Sequence, residues 1–191
     1  MKSVLISIQP IWCELIANGK KTVEVRKTKP KLETPFKVYI YCTQDKKFNF
    51  CTDNGEQYTH IGNGKVIGEF ICDYFYGICQ FGFGIAIYDE QKSIIEPQDL
   101  LNWSCLTEEQ LIDYFDNGDG YAWHISNLVI YDKPRELGEF KKECKLKCDM
   151  RSLEEPPCEK CEHLVASFGC GRTITRPPQS WCYVESEVDT K

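Results

Sequence analysis

IQPIWCELIANGKKTVEVRK, residues 8–27, holds a helix, its stop signal and a strand. Pro10 suits the first turn of a helix, where its missing N–H costs nothing. Ile11, Trp12, Leu15 and Ile16 fall at helical spacing, and Gly19 follows the helix end. KTVEVRK then alternates with a period of two, the mark of a strand. On that strand Thr22, Glu24 and Arg26 share one face and Val23 and Val25 the other, so the valines are expected in the core. Lys21 has the parity of the valines, but it opens the strand beside Gly19, where alternation does not yet hold. A lysine entering a partly enclosed site can serve as base or nucleophile. An arginine there can grip phosphate or stack on a base. The bland alternative is a solvated strand with a surface Glu–Arg pair, which contributes little.

Working outward, SVLISI (3–8) is a first strand and FKVYIYC (36–42) another, with the proline-bearing loop TKPKLETP (28–35) before it. Residues 43–64 are polar and read as a long surface loop. KVIGEFICDYFYGI (65–78) reads as one long strand, and FGFGIAIYDE (81–90) as a partner for it. Pro97 opens a short helix toward Trp103, Thr107 is an N-cap, and Glu108–Phe115 is a helix. YAWHISNLVIYDK (121–133) reads as a strand, Pro134 as the start of a helical turn, and PPQSWCYVE (177–185) as a closing strand. About five to seven strands with a few short helices predict an α+β fold built as a small mixed barrel.

The chain has 191 residues, 42% of them hydrophobic, enough for one domain with a real core. The formal net charge is −6, which argues against broad binding to duplex nucleic acid. The charge is uneven. Lys20, Lys21, Arg26, Lys27, Lys29, Lys31 and Lys37 outnumber Glu24 and Glu33 between residues 20 and 37, so a local basic cleft is compatible with an acidic whole. No secretory signal and no stretch long enough to span a membrane is evident, so a cytoplasmic location is expected.

In a reducing compartment the 12 cysteines are expected as buried thiols or metal ligands. Cys13, Cys42, Cys51, Cys72, Cys79 and Cys105 are scattered, and read as small buried hydrophobes. Residues 141–172 differ: they are charged, cysteine-rich and poor in aliphatics, an insert too polar to fold on its own core. Cys158 and Cys161 form a C-x-x-C knuckle that reaches one tetrahedral ion. Cys144 or Cys148, together with Cys170, completes four ligands, with His163 as a spare donor. A structural zinc would stabilise such a segment. An iron–sulfur cluster or a redox dithiol is the alternative reading.

The run I-x-P-x-W-x-x-x-I-x-x-G-K-K-T-x-E-x-R is supplied by Ile8, Pro10, Trp12, Ile16, Gly19, Lys20, Lys21, Thr22, Glu24 and Arg26. It resembles the ASCH domain family, which is itself similar to PUA domains. YAWHISNLVIYDKP and PPQSWCYVE resemble the closing strands of the same family, so the resemblance covers residues 1–140 and 177–185. It implies a small PUA-like mixed β-barrel flanked by short helices, with a cleft bordered by GKKTVEVR. Members of the family are thought to bind RNA or modified nucleosides. Some are amidohydrolases acting on N4-acetylcytidine, and others are ribonucleases. The amidohydrolases use a Lys and a Thr of a K-T-x-T pattern with a Glu further on. Lys21 matches that lysine. Glu24 replaces the second threonine, a departure from the threonine mechanism, and Glu69, Glu108 and Glu109 are all candidates for the third residue.

The same resemblance sets aromatic segments around the barrel opening. Trp12, Tyr121, Trp123, His124, Trp181 and Tyr183 become candidates for stacking on a base. Trp123 and His124 are neighbours on a strand, so only one can face the cleft. Gln179 and Ser180 offer an amide and a hydroxyl for reading a base edge. Three functions follow. The first is a module that binds RNA or a nucleotide-like ligand through Trp12, Lys20, Thr22, Arg26, Tyr121, Trp123, Gln179 and Trp181. The second is a hydrolase, either an N4-acylcytidine amidohydrolase or a ribonuclease, with Lys21 and Glu24 as acid–base groups. The third is a zinc-stiffened protein-interaction adaptor.

Overall fold

The computed structural model describes residues 2–53, 59–81, 84–116, 118–142 and 172–185. In chain order it contains β1 (Lys2–Ile8), α1 (Pro10–Ala17), β2 (Val23–Arg26), β3 (Phe36–Cys42), β4 (Cys51–Asp53), β5 (Thr59–Ile61) and β6 (Val66–Cys72). There follow β7 (Phe75–Phe81), β8 (Gly84–Tyr88), β9 (Ile94–Ile95), α2 (Pro97–Ser104), α3 (Glu108–Phe115), β10 (Gly120–His124), β11 (Ser126–Arg135), β12 (Lys141–Lys142), β13 (Arg172–Thr173) and β14 (Trp181–Glu185). The α+β class expected from the sequence is the one that forms. No described helix is long and apolar enough to cross a membrane.

The strands assemble as a seven-stranded sheet, β11-β6-β3-β1-β14-β12-β13, and a five-stranded sheet, β2-β10-β7-β8-β9. β4 and β5 form a separate pair inside the stretch expected as loop. β1 runs parallel to β3 and antiparallel to β14, so the large sheet is mixed. The expected closed barrel is not found among the described residues, because both ladders run from edge to edge. Two stretches that read as single strands explain this. Residues 65–78 break at Asp73 and Tyr74, and residues 121–133 break at Ile125, and each fragment joins a different sheet. The two breaks lie together, where the His124 N–H donates to the Tyr74 carbonyl at 3.2 Å and His124 Nδ1 lies 2.7 Å from Asp73 Oδ1.

The layers follow from alternation. Val4, Ile6 and Ile8 of β1 and Val38 and Ile40 of β3 face one core, together with Phe75 and Trp123 from the second sheet. Leu5 and Tyr39 point the other way, to a core shared with Phe140 and Val184. The outer face of the five-stranded sheet contributes Val23, Val25, Ile78 and Ala122, covered by Leu100 of α2 and Leu111 and Phe115 of α3. β2 is therefore enclosed on both faces. Its valines meet the helices, and the face bearing Glu24 and Arg26 looks toward the seven-stranded sheet.

Candidate functional site

α1 begins at Pro10 with Gln9 as N-cap and stops as the sequence predicts. Gly19 adopts φ +68, a conformation that glycine takes without a Cβ penalty. The Lys20 and Lys21 N–H groups donate back to the Leu15 carbonyl at 2.9 and 3.0 Å. This reversal aims Lys21 at the end of α2. The ammonium donates to the Ser104 carbonyl at 2.7 Å, and the Thr22 N–H donates to the Trp103 carbonyl at 2.8 Å. The last carbonyls of a helix lack intrahelical partners and carry its negative dipole end, so a lysine is a fitting cap. Lys21 thus serves two elements at once: it caps α2 and borders a cavity.

That cavity, of about 610 Å³, is lined by Ser7, Gln9, Trp12, Lys21, Glu24, Val25, Arg26, Thr43, Leu106, Gln110, Tyr114, Pro177, Pro178 and Gln179. Its wall holds a charge triad. Glu24 Oε2 lies 3.4 Å from Lys21 Nζ, and Glu24 Oε1 lies 2.9 Å from Arg26 Nη2. Arg26 Nη2 also donates to the Ser7 carbonyl at 2.5 Å. Lys21 is 3% exposed and Glu24 6%. The Lys21 ammonium also sits 5.3 Å from the centroid of Trp12, a cation–π contact. One carboxylate therefore serves two cations, leaving one positive charge in excess at the cavity wall. Among the described residues Arg26 Nε is buried without a hydrogen-bond partner, an orphan donor of the kind that folded proteins rarely leave unused.

The chemistry open to this arrangement follows from its donors. An ammonium has three N–H groups, and Lys21 already engages a carbonyl, a carboxylate and a ring face. It is built to hold position and charge. Glu24 is held between two cations. Arg26 lines the cavity with a planar guanidinium fork, a group suited to an anionic partner.

Of the residues singled out in the sequence, Trp12, Lys21, Glu24, Arg26 and Gln179 line this cavity. Lys20 is exposed beside it, and Thr22 is half-buried and joined to α2 through its backbone. Trp123 is 0% exposed and lies in the core between the sheets, 6.0 Å from Trp181. The Trp181 Nε1–H donates to Thr28 Oγ1 at 3.0 Å, and Tyr121 lies under the Lys29 ammonium. None of these three aromatics lines the cavity. His124 pairs with Asp73 and stacks on Tyr74 at 4.2 Å, a framework arrangement. Glu69 is committed to Lys37 and to the Tyr131 hydroxyl, and Glu108 and Glu109 sit exposed in the first turn of α3. None of the three glutamates borders the cavity. Cys144, Cys148, Cys158, Cys161, His163 and Cys170 lie outside the described residues.

Ser7, Gln9, Thr43, Leu106, Gln110, Tyr114, Pro177 and Pro178 were not singled out. Gln110 and Tyr114 carry one legible signal: they are four apart on α3 and so share a face. Which way that face points depends on how α3 docks.

Comparison with known proteins bears on the fold. No family model matches the chain, and no curated protein matches it. Among solved structures, a single-residue variant of the ASCH protein from Zymomonas mobilis superposes with a TM-score of 0.50 at 18% identity, covering 96% of this chain and 88% of that one. This chain has an ASCH-like fold. The unsubstituted ASCH protein from Zymomonas mobilis is also similar, at 19% identity and a TM-score of 0.46, over 71% of this chain and 73% of that one. In this fold the VEVR end of GKKTVEVR forms β2, with its valines toward the helices, and Gly19–Thr22 lead into that strand.

Proposed function

We propose that the cavity binds RNA or a nucleotide-like ligand, with Arg26 receiving a phosphate or another anionic group. The observation that carries this reading is the uneven triad: Glu24 is shared between Lys21 and Arg26, so the wall keeps one uncompensated positive charge. Both cations have partners, but one carboxylate does not neutralise two charges, and an anion from outside would balance the second. The volume falls within the range of small-ligand pockets, roughly 300–1,000 Å³. Trp12 and Tyr114 supply apolar faces and Gln9 and Gln179 supply amides, the mixture that suits a base as well as its phosphate.

Titration calorimetry with the four nucleoside monophosphates, and with a short single-stranded RNA, tests the reading. Arg26→Gln is the informative variant, because it leaves Lys21 and Glu24 as a balanced pair. Loss of one charged hydrogen-bonding group predicts roughly 10- to 100-fold weaker binding. Absence of binding by every nucleotide and RNA, or equal affinity in Arg26→Gln, would exclude the cavity as a nucleotide site. Turnover of an N4-acylated cytidine that disappears in Lys21→Ala would assign hydrolysis in its place.

A further inference from the structure

The cavity accounts for Arg26 but leaves unexplained the cations that follow it. Lys27, Lys29 and Lys31 occupy alternate positions directly after β2, and all three are exposed. None of them is ion-paired among the described residues. In a chain with a formal charge of −6, an uncompensated row of this kind is a local exception.

The row is also held in place. Trp181 Nε1–H donates to Thr28 Oγ1 at 3.0 Å, and the Lys31 N–H donates to the Tyr183 hydroxyl at 2.7 Å. Pro30 is buried, and Leu32 packs against the central core. The segment is thus a strap whose backbone is pinned while its cations stay at the surface. The row begins at the cavity. The Lys27 ammonium lies 5.5 Å from the ring centroid of Tyr114, a residue of the cavity wall. Lys29 lies 5.0 Å from the ring centroids of both Phe75 and Tyr121, and Tyr121 is the register partner of Arg26. Charge therefore continues from the triad out along the strap.

We propose that Lys27, Lys29 and Lys31 form a phosphate track, along which a single-stranded nucleic acid runs while one of its nucleotides occupies the cavity. This inference rests on the nucleotide reading of the cavity. A single row of cations beside aromatic rings suits a single strand, whereas a duplex calls for a broad basic face. An anionic membrane is less well matched, because surface-binding segments add a bank of apolar side chains. Tyr114, an exposed aromatic, lies under Lys27.

The test measures fluorescence anisotropy of a 5′-fluorescein-labelled, random-sequence, single-stranded oligoribonucleotide. Competition by the four nucleoside monophosphates reports the cavity separately. The oligonucleotide is expected to bind more tightly than any monophosphate. The triple variant Lys27→Ala, Lys29→Ala, Lys31→Ala should lose about 10-fold in oligonucleotide affinity, and its log–log salt slope should become shallower by about 2. Its affinity for the monophosphates should fall far less than its affinity for the oligonucleotide, and the double variant Lys29→Ala, Lys31→Ala, which leaves the Lys27–Tyr114 contact in place, should bind them as the parent does. The triple arginine variant, which keeps the charges, should bind as the parent does and controls for folding. If monophosphates bind but the oligonucleotide gains nothing, or the alanine variant keeps its affinity and slope, the track is overturned and the cavity reading survives. If neither binds, the cavity reading fails and takes the track with it. Equal affinity for a duplex, or flotation with phosphatidylserine vesicles in place of oligonucleotide binding, would also overturn the single-strand assignment.

Discussion

Glu24 is the residue on which the site turns. It sits between Lys21 and Arg26, at 3.4 and 2.9 Å, and is almost fully buried. Replacing it with glutamine keeps the shape and removes the charge, so two buried cations would face each other uncompensated. Breaking a buried pair in this way costs about 3–5 kcal/mol. Urea denaturation of Glu24→Gln should show a loss of that order, whereas Glu139→Gln, at an exposed pair with Arg135, should change stability by less than ~1 kcal/mol. Equal small effects at both positions would mean that the triad does not act as a buried unit. Part of this was legible in advance. Alternation along KTVEVRK places Glu24 and Arg26 on one face, and Gly19 marks the turn before them. The partner of Lys21 was not legible, because it is the backbone carbonyl of Ser104, 83 residues away, and a carbonyl carries no side-chain signal.

At the scale of elements, α3 shows how local chemistry supports the cavity. Thr107 Oγ1 accepts from the Gln110 N–H, and the Gln110 side chain accepts from the Thr107 N–H, a capping box that the Thr107 N-cap foreshadows. The same glutamine borders the cavity, so the cap also fixes a wall residue. β12 and β13 show how the cysteine-rich segment is attached. Lys142 pairs with Arg172, so the chain leaves the sheet and returns to it at facing positions. We propose that four of the cysteines between them, Cys158, Cys161, Cys170 and either Cys144 or Cys148, hold one structural zinc. Elemental analysis of chelator-free protein should then find about one zinc per chain. Zinc far below that ratio, with circular dichroism unchanged by EDTA, would exclude the site. Chain continuity hides the points where a strand changes sheet. Residues 65–78 and 121–133 each look like one strand, since apolar alternation survives a change of sheet, and only the hydrogen-bond partners reveal the breaks at Asp73–Tyr74 and Ile125.

For the whole molecule, the pairing of β1 with β14 joins the two ends of the described chain, from Lys2 opposite Glu185 to Ile6 opposite Trp181. The approach to β14 also supplies Pro177, Pro178 and Gln179 to the cavity, with the Ser7 hydroxyl donating to the Pro178 carbonyl at 2.7 Å. A chain ending at Arg176 would leave β1 with an unpaired edge and open two of the three cores, because Val184 and Trp181 pack there. It should lose its cooperative thermal transition, as followed by scanning calorimetry, and a retained transition near the parent midpoint would show that the closing strand is dispensable. What the sequence determined by itself is local. The stop at Gly19, the alternation of β2, the cap of α3 and the excess of lysines after residue 19 all depend on near neighbours in the chain. The tertiary structure alone decided which polar face would be buried and which aromatics would be hidden. Trp123 and Trp181 look like stacking platforms in the sequence, yet they pack 6.0 Å apart, Trp123 in the core and Trp181 against it, because the direction a strand's face points is set by the sheet it joins. The same assembly, by enclosing β2 on both sides, turned a charged strand into a buried triad with one positive charge left over.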